Sequence, residues 1–160
     1  MGHLLLHEEN IVAGLNARNR EDALKKIVDA LPAWSLRGIE KEKILELLVL
    51  REQIGTTAIG HGIALPHCFS PQVHEPIVAF GVSPAGVSFP SLDGRPVHFI
   101  FVLILPQNEA AERQKRQILQ NIKWSLCDRS MQDRLKAART ASEIHQLMVP
   151  ESQQVPALVV

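Results

Sequence analysis

The chain has 160 residues, and its 17 lysines and arginines balance 17 aspartates and glutamates, so its formal net charge is zero. A hydrophobic fraction of 46% and a charged fraction of 21% are typical of a globular domain and exclude an intrinsically disordered chain. The balanced charge argues against a broad nucleic-acid or acidic-membrane surface, which needs a basic excess, but leaves room for a small basic patch.

No apolar run approaches the roughly 20 residues that a membrane-spanning helix requires. The longest run, 99–105, has the length of a buried strand. The N-terminal residues lack the basic start and long apolar centre of a signal peptide, and two cysteines are too few for a disulfide framework. We therefore expect a cytoplasmic protein with no direct membrane insertion.

Two helices are predicted before the first strands. The first follows Asn19, a favourable N-cap, carries apolar residues at i, i+3, i+4 and i+7, and stops at Pro32. After a loop through Trp34, a second helix is predicted from about Glu40, with an apolar stripe at 44, 47 and 48. The next position on this inward stripe is Arg51, and a cation there usually extends to solvent or meets an anion.

The middle of the chain is predicted to be extended. Short extended segments and turns, interrupted by glycines, are expected over 54–69, followed by strands at Ile77–Val82 and Val97–Leu105. Between these two strands, 84–86 and 92–96 have turn composition, with 87–89 as a candidate short strand.

The last third is predicted to be helical. A helix from about Asn108 to Cys127 has an apolar inward face, Ser130 opens a short helix, and a capping box at Thr140 opens the last one. Strands placed between helical pairs, with short connections, predict an α/β domain with a mixed sheet. We expect this single domain to span 1–150, with a C-terminal tail at 151–160.

The chemically informative segment runs from Arg51 to Cys68. Pro66 holds the residue before it extended and presents His67 on a stiffened backbone. A nucleophile candidate, a cation, the hydroxyls of Thr56 and Thr57 and several glycine N–H groups together suit an anion such as phosphate. Histidine can attack phosphorus near neutral pH, because much of it is then neutral.

Each of these features also has a purely structural interpretation. A Pro-His pair is often a turn, Arg51 can be a solvated cation at a helix C-terminus, and the glycines can be turn residues. The segment lacks the Gly-Lys-Ser/Thr ending of a nucleotide-binding phosphate loop. Only the combination of features favours a functional site.

Other candidates are weaker. His61 and Cys68 flank His67 in sequence, but no zinc-ligand spacing and no acidic ligand accompany them, so we expect neither a metal nor a cofactor. Cys68 is interpreted as a small loop residue, and His98 and His145 as structural histidines. Seven aromatic residues give little support for stacking on nucleic acid.

The stretch Gly-Thr-Thr-Ala-Ile-Gly-His-Gly-Ile-Ala-Leu-Pro-His at 55–67 resembles the signature of the fructose/mannitol-type IIA domains of the bacterial phosphoenolpyruvate-dependent phosphotransferase system. The nitrogen-regulatory IIA branch is the most similar. The resemblance covers about 4–149 and includes Arg51-Glu52, the turn at 90–94, the strand at 99–106 and an Ala-x-Ser-Glu pattern near the end.

The resemblance implies a mixed β-sheet flanked by helices on both faces. It implies that His67 accepts a phosphoryl group, through Nε2, from the phosphohistidine of a small carrier protein. The group then passes to a IIB cysteine, or stays on His67 as a regulatory mark that is read by a kinase or ion transporter. By the same resemblance, Arg51 neutralises the phosphate and Thr57 supplies a hydrogen bond.

One position departs from the family pattern, which has a second histidine near the start of the long helix after the central strand. Here no histidine occurs between His98 and His145, and Lys115 aligns with that position, with Arg113 or Arg116 as alternatives. Lysine can neutralise phosphate but cannot act as a neutral acceptor. Three functions therefore stay open: a IIA phosphocarrier, a regulatory binding module switched by phosphorylation, and a relative that is not phosphorylated.

Overall fold

A six-stranded mixed sheet forms the centre of the protein in the computed structural model, which describes residues 5–126 and 128–149. The strands are β1 Ile11–Val12, β2 Ala58–Gly60, β3 Ile63–Ala64, β4 His67–Ser70, β5 Ile77–Val87 and β6 Val97–Pro106. A short 3-10 helix at Glu8–Asn10 precedes them, and the α-helices are α1 Arg20–Ala30, α2 Ala33–Leu36, α3 Lys41–Ile54, α4 Ala111–Leu126, α5 Arg129–Ala137 and α6 Ala141–Met148.

Strand β6 organises the sheet. The order is β1-β5-β6-β3-β2, and β4 also pairs with β6, so three strands contact this central one. The β5 strand runs antiparallel to β6, whereas β3 and β4 run parallel to it. Residues 99–105 of β6 are fully buried, as expected for a continuous apolar run that is covered on both faces.

Helices cover both faces of the sheet because the side chains of β6 alternate. Phe99, Phe101 and Leu103 pack in one core with residues of α4, α5 and α6. Ile100 and Val102 point the other way and pack with residues of α1 and α3. The prediction of a single α/β domain with a mixed sheet and helices on both faces is confirmed.

The capping signals in the sequence are used as predicted. The side chain of Asn19 accepts a hydrogen bond from the backbone N–H of Asp22 (2.9 Å), and that of Thr140 accepts from the N–H of Glu143 (3.1 Å). Among the described helices, none is both long and apolar enough to cross a membrane.

Several local predictions are wrong. The segment 84–86 belongs to a continuous β5 with an irregular register and not to a turn, because Val87 still pairs with Val97. The predicted loop after Pro32 contains the one-turn helix α2, and α5 is capped by Asp128, so it begins before Ser130. Cys68 lies in β4 and not in a loop. The predicted tail at 151–160 lies outside the described residues.

Candidate functional site

His67 is fixed beside the central strand. It is the first residue of β4, where it pairs with Leu103 of β6. The carbonyl of Pro66 accepts a hydrogen bond from the N–H of Leu103 (2.9 Å), so the backbone is held on both sides of this point. The imidazole is half-buried and lies edge-on to the ring of Phe69, with the ring centroids 6.2 Å apart.

The hydrogen bonding of the His67 ring defines its neutral tautomer. Its Nδ1 atom lies 2.9 Å from the carbonyl oxygen of Leu65, and a carbonyl can only accept. The proton of the neutral ring is therefore on Nδ1. The Nε2 atom carries the free lone pair and is the nucleophilic nitrogen.

Burial is the main factor that lowers the pKa of His67 below its ordinary value, because desolvation penalises the charged ring. The hydrogen bond to Leu65 opposes this shift, the positive charges of Arg51 and Lys115 lower the pKa further, and Glu112 raises it. The lowered pKa favours the neutral form of the ring.

Arg51 lies in the last turn of α3, where it is partly buried and its Nη1 donates to the carbonyl of Gly55 (2.9 Å). The apolar stripe predicted that the inward row of α3 continues to Arg51, and this prediction is wrong. The row runs from Ile44 through Leu48 to Glu52, at steps of four residues. Arg51 is thereby left at the side of the helix, where its charge acts on His67.

Glu52 is the residue that sequence reasoning missed. It is 2% exposed, and its carboxylate accepts hydrogen bonds from the N–H of Thr57 (3.2 Å) and from the hydroxyl of Thr57. The hydroxyl of Thr56 donates to the carbonyl of Pro90. Both threonine hydroxyls therefore have protein acceptors. The spacing of four residues from Leu48 is the signal that would have identified Glu52.

Lys115 lies on α4, and its Nζ is 5.8 Å from the centroid of the Phe69 ring, next to His67. The same ammonium group is 3.2 Å from the carboxylate of Glu112, and its side chain is only 22% exposed. Arg113 and Arg116, the alternatives in sequence, are exposed. Of the three candidates, Lys115 is the one whose charge acts on His67.

Two of the glycines in the segment build a hairpin and not a phosphate cradle. Gly60, the last residue of β2, and Gly62, in the β2–β3 turn, have φ values of 95° and 77°, a backbone conformation that favours glycine. Between them, His61 has a φ of 57°, and its N–H donates to the Asp93 carboxylate (3.0 Å). Burial raises the pKa of the Cys68 thiol to about 12, so this thiol is not a nucleophile at neutral pH.

Comparison with known proteins identifies the family of this chain. The family model described as "Phosphoenolpyruvate-dependent sugar phosphotransferase system, EIIA 2" matches residues 4–149. The chain is 36% identical over 140 residues to a nitrogen regulatory protein of Pseudomonas aeruginosa, with 88% of this chain and 86% of the relative covered.

Solved structures share the fold. The nitrogen regulatory protein IIA-Ntr of Neisseria meningitidis superposes with a TM-score of 0.79 at 24% identity, over 90% of this chain and 96% of that one. Enzyme IIAMtl of Escherichia coli, solved in complex with phosphorylated enzyme IIBMtl, gives a TM-score of 0.71 at 24% identity, over 89% and 96%. The predicted resemblance is confirmed: this chain belongs to the EIIA type 2 family of the phosphoenolpyruvate-dependent sugar phosphotransferase system, a family of phosphotransfer components.

Proposed function

We propose that this chain is a cytoplasmic phosphohistidine relay protein, in which Nε2 of His67 accepts a phosphoryl group from the phosphohistidine of a small carrier protein. The observation that carries the proposal is the 2.9 Å contact between Nδ1 of His67 and the carbonyl of Leu65. It supports Nε2 as the attacking atom because the Nδ1 proton stays on the ring.

The transfer is a simple exchange between two imidazoles. The bond from Nε2 of His67 to phosphorus forms while the phosphorus–nitrogen bond of the carrier breaks, and the departing imidazole keeps that electron pair. His67 retains its Nδ1 proton throughout. The lowered pKa of His67 supports this step, since a protonated ring has no lone pair to donate.

Two cations support the assignment by their charge. A phosphoryl group on His67 adds about two negative charges. Arg51 and Lys115 both act electrostatically on the His67 ring and would neutralise this charge, because phosphoryl transfer depends chiefly on positioning and electrostatic stabilisation. Thr57 contributes by binding Glu52, which positions the turn that follows Arg51.

An exposed apolar surface adjoins Arg51 and is the proposed docking surface for the phosphocarrier. Ile54 and Leu92 are 83% and 77% exposed. The segment that follows Ile54 lies beside the segment that contains Leu92, since the hydroxyl of Thr56 donates to the carbonyl of Pro90 and the N–H of Leu92 donates to the carbonyl of Ala58. Apolar residues of this kind, surrounded by charge, are typical of the centre of a protein interface.

The onward step has two candidates. Passage to a IIB cysteine is supported by the solved complex of enzyme IIAMtl with phosphorylated IIBMtl. Retention of the phosphoryl group as a regulatory mark, read by a kinase or an ion transporter, is favoured by Lys115. Lysine neutralises the phosphate without offering a second imidazole to take part in its departure. The relative named as a nitrogen regulatory protein supports the same alternative.

Intact-mass spectrometry at neutral to mildly basic pH tests the proposal, after the chain is mixed with phosphoenolpyruvate, enzyme I and the carrier protein. We expect one acid-labile phosphoryl mass, absent from His67→Ala and present in His74→Ala, an exposed loop histidine that serves as the matched control. Phosphorus NMR of the product should report an Nε2-phosphohistidine. Normal labelling of His67→Ala would contradict the assignment, and no labelling of the wild-type chain by a cognate donor would indicate a phosphorylation-incompetent relative.

Incubation of the phosphorylated chain with IIB domains separates the two onward steps. For a transport relay, we expect this chain to lose its phosphoryl group and a IIB cysteine to gain it. A stable mark that changes the binding of a kinase or ion transporter is expected for a regulatory protein.

A further inference from the structure

A basic cavity lies at the other end of the central strand from His67. Its volume is about 400 Å³, within the range of small-molecule sites. His98 lines it, whereas His67 pairs with Leu103, five residues further along β6 and thus roughly 17 Å away. None of the groups assigned above to phosphoryl transfer lines this cavity.

The cavity has three walls, and a hydrogen bond joins two of them. One face of α5 supplies Arg129, Gln132, Asp133 and Lys136, at the spacing i, i+3, i+4 and i+7. The start of β6 and the β2–β3 turn supply the other walls. The side-chain amide of Gln132 donates to Leu126 (3.0 Å) and to the carbonyl of His61 in the turn (3.4 Å), so α5 and the turn have a fixed separation.

Charge in this cavity is unbalanced, although the whole chain is neutral. Arg95, Arg129 and Lys136 line it together with one carboxylate, that of Asp133, which leaves a net charge of about +2. Within 5–126 and 128–149, none of the three cations forms an ion pair within 4 Å. A phosphate monoester carries a matching charge of about −2 and binds the planar fork of arginine through two parallel hydrogen bonds.

Hydrogen-bond acceptors line the same cavity beside the cations. Nδ1 of His98 donates to the carbonyl of Ser83 (2.8 Å), so Nε2 of the neutral ring is an acceptor. The Nε2 of Gln132 is engaged with backbone carbonyls, which leaves its Oε1 to accept. Asp133 accepts no hydrogen bond from the described part of the chain. A ligand with hydroxyl groups can donate hydrogen bonds to these acceptors, whereas a ligand with only anionic groups is repelled by the carboxylate of Asp133.

We propose that this cavity is a binding site for a small phosphorylated polyhydroxy compound, of the hexose phosphate class. Arg95, Arg129 and Lys136 bind the phosphate, and Asp133, Gln132 and His98 accept hydrogen bonds from the hydroxyls. The site is independent of the proposed phosphoryl transfer, and His67→Ala is expected to bind the ligand normally.

Isothermal titration calorimetry of the full chain tests the proposal at about 0.1 M salt, where weak surface attraction is largely screened. The probes are glucose 6-phosphate, inorganic phosphate, glucose and succinate. We expect one site for glucose 6-phosphate, with binding about tenfold tighter than that of inorganic phosphate, and the weakest binding for glucose and succinate. Equal affinity for succinate and glucose 6-phosphate would overturn the ligand class, and no saturable binding of either phosphate compound would overturn the site.

Matched variants locate the binding. Arg129→Gln and Lys136→Gln are each expected to weaken the binding of glucose 6-phosphate about tenfold. Arg134 is an exposed arginine of α5 outside this cavity, and Arg134→Gln should leave this affinity unchanged. Asp133→Ala should remove the preference for glucose 6-phosphate over inorganic phosphate. Thermal unfolding verifies that each variant is folded. Binding that is lost in Arg51→Gln and retained in Arg129→Gln would assign the anion to the His67 site and overturn the proposal.

Discussion

The carboxylate of Glu52, in the last turn of α3, accepts hydrogen bonds from both the backbone N–H and the hydroxyl of Thr57, five residues later. The pair closes the end of the helix onto the start of the β2–β3 hairpin, and the same hairpin leads directly to Pro66 and His67. A buried carboxylate needs its donors, because an unsatisfied charged group away from water is costly.

Replacing Thr57 with valine is therefore expected to destabilise the protein. The change keeps the shape but removes the hydroxyl donor, so the free energy of unfolding should fall by about 1–3 kcal/mol. Urea unfolding measures this value, and Thr57→Ser, which keeps the hydroxyl, is the control. If valine and serine at this position gave equal stability, the hydrogen bond to Glu52 would not contribute.

Arg51→Gln is expected to slow phosphorylation of His67 by the carrier protein about a hundredfold, because it removes a charge-assisted donor from the developing phosphoryl group. It should also raise the pKa of His67, since the arginine lowers it. Rapid-quench labelling and an NMR titration measure the two effects. Lys43→Gln, which removes an exposed cation from the same helix, should change neither the labelling rate nor the pKa of His67. A wild-type rate in Arg51→Gln would show that the arginine does not contact the phosphate.

The stability of the protein should depend on pH through His67. The pKa of His67 is lower in the folded chain than the ordinary value of about 6.5 in the unfolded chain, chiefly because of burial. Between these two values the unfolded chain binds more protons, so the free energy of unfolding rises with pH and levels off above about 6.5.

Urea unfolding at a series of pH values measures this rise. His67→Gln should flatten it, and His74→Gln should leave it unchanged. If the free energy of unfolding of His67→Gln rose with pH as steeply as that of the wild type, His67 would not be the cause of this rise. The rate of phosphorylation should fall as the pH is lowered through the pKa of folded His67, at the lower end of this range, because the imidazolium has no free lone pair.

Lys115 and Glu112 are expected to have opposite effects on the phosphoryl group. Lys115→Gln should slow labelling about tenfold, because a partly buried cation beside His67 is lost. Glu112→Gln should accelerate labelling a few-fold, since it frees the ammonium group of Lys115 and removes a negative charge that raises the pKa of His67. Arg116→Gln, on the exposed side of α4, is the control for both, and the same direction of change in the two variants would contradict this electrostatic account.

The proposed docking surface predicts a selective loss of partner recognition. Ile54→Asp and Leu92→Asp should each raise the KM for the phosphocarrier about tenfold, because a charge is placed at the apolar centre of the interface. Labelling by the small donor phosphoramidate should be unchanged. Leu5→Asp, at an exposed apolar residue near the N-terminus, is the control. An equal loss with phosphoramidate would indicate damage to the site and not to docking.

The helices and the central strand could be predicted because their signals are local. Asn19 and Thr140 cap the helices that their sequences indicate, and the apolar run 99–105 forms the buried strand. The family signature at 55–67 likewise lies in one short segment, and it was sufficient to single out His67.

The errors occur where a distant partner decides the conformation. Pro84–Gly86 has turn composition, yet β5 continues through it because pairing with β6 resumes at Val87. The inward row of α3 ends in Glu52, and a carboxylate is stable there only because Thr57 folds back to donate to it.

The fold class, the family and the candidate acceptor histidine all follow from local patterns in the amino-acid sequence. Packing fixes which nitrogen of His67 is free, places Lys115 and not Arg113 or Arg116 beside it, and brings three cations together around the basic cavity. The physical reason is the difference in sequence distance between the groups that interact. Caps, turns and strand runs depend on neighbours within a few residues, whereas tautomer, pKa and pocket charge depend on groups that only packing brings together.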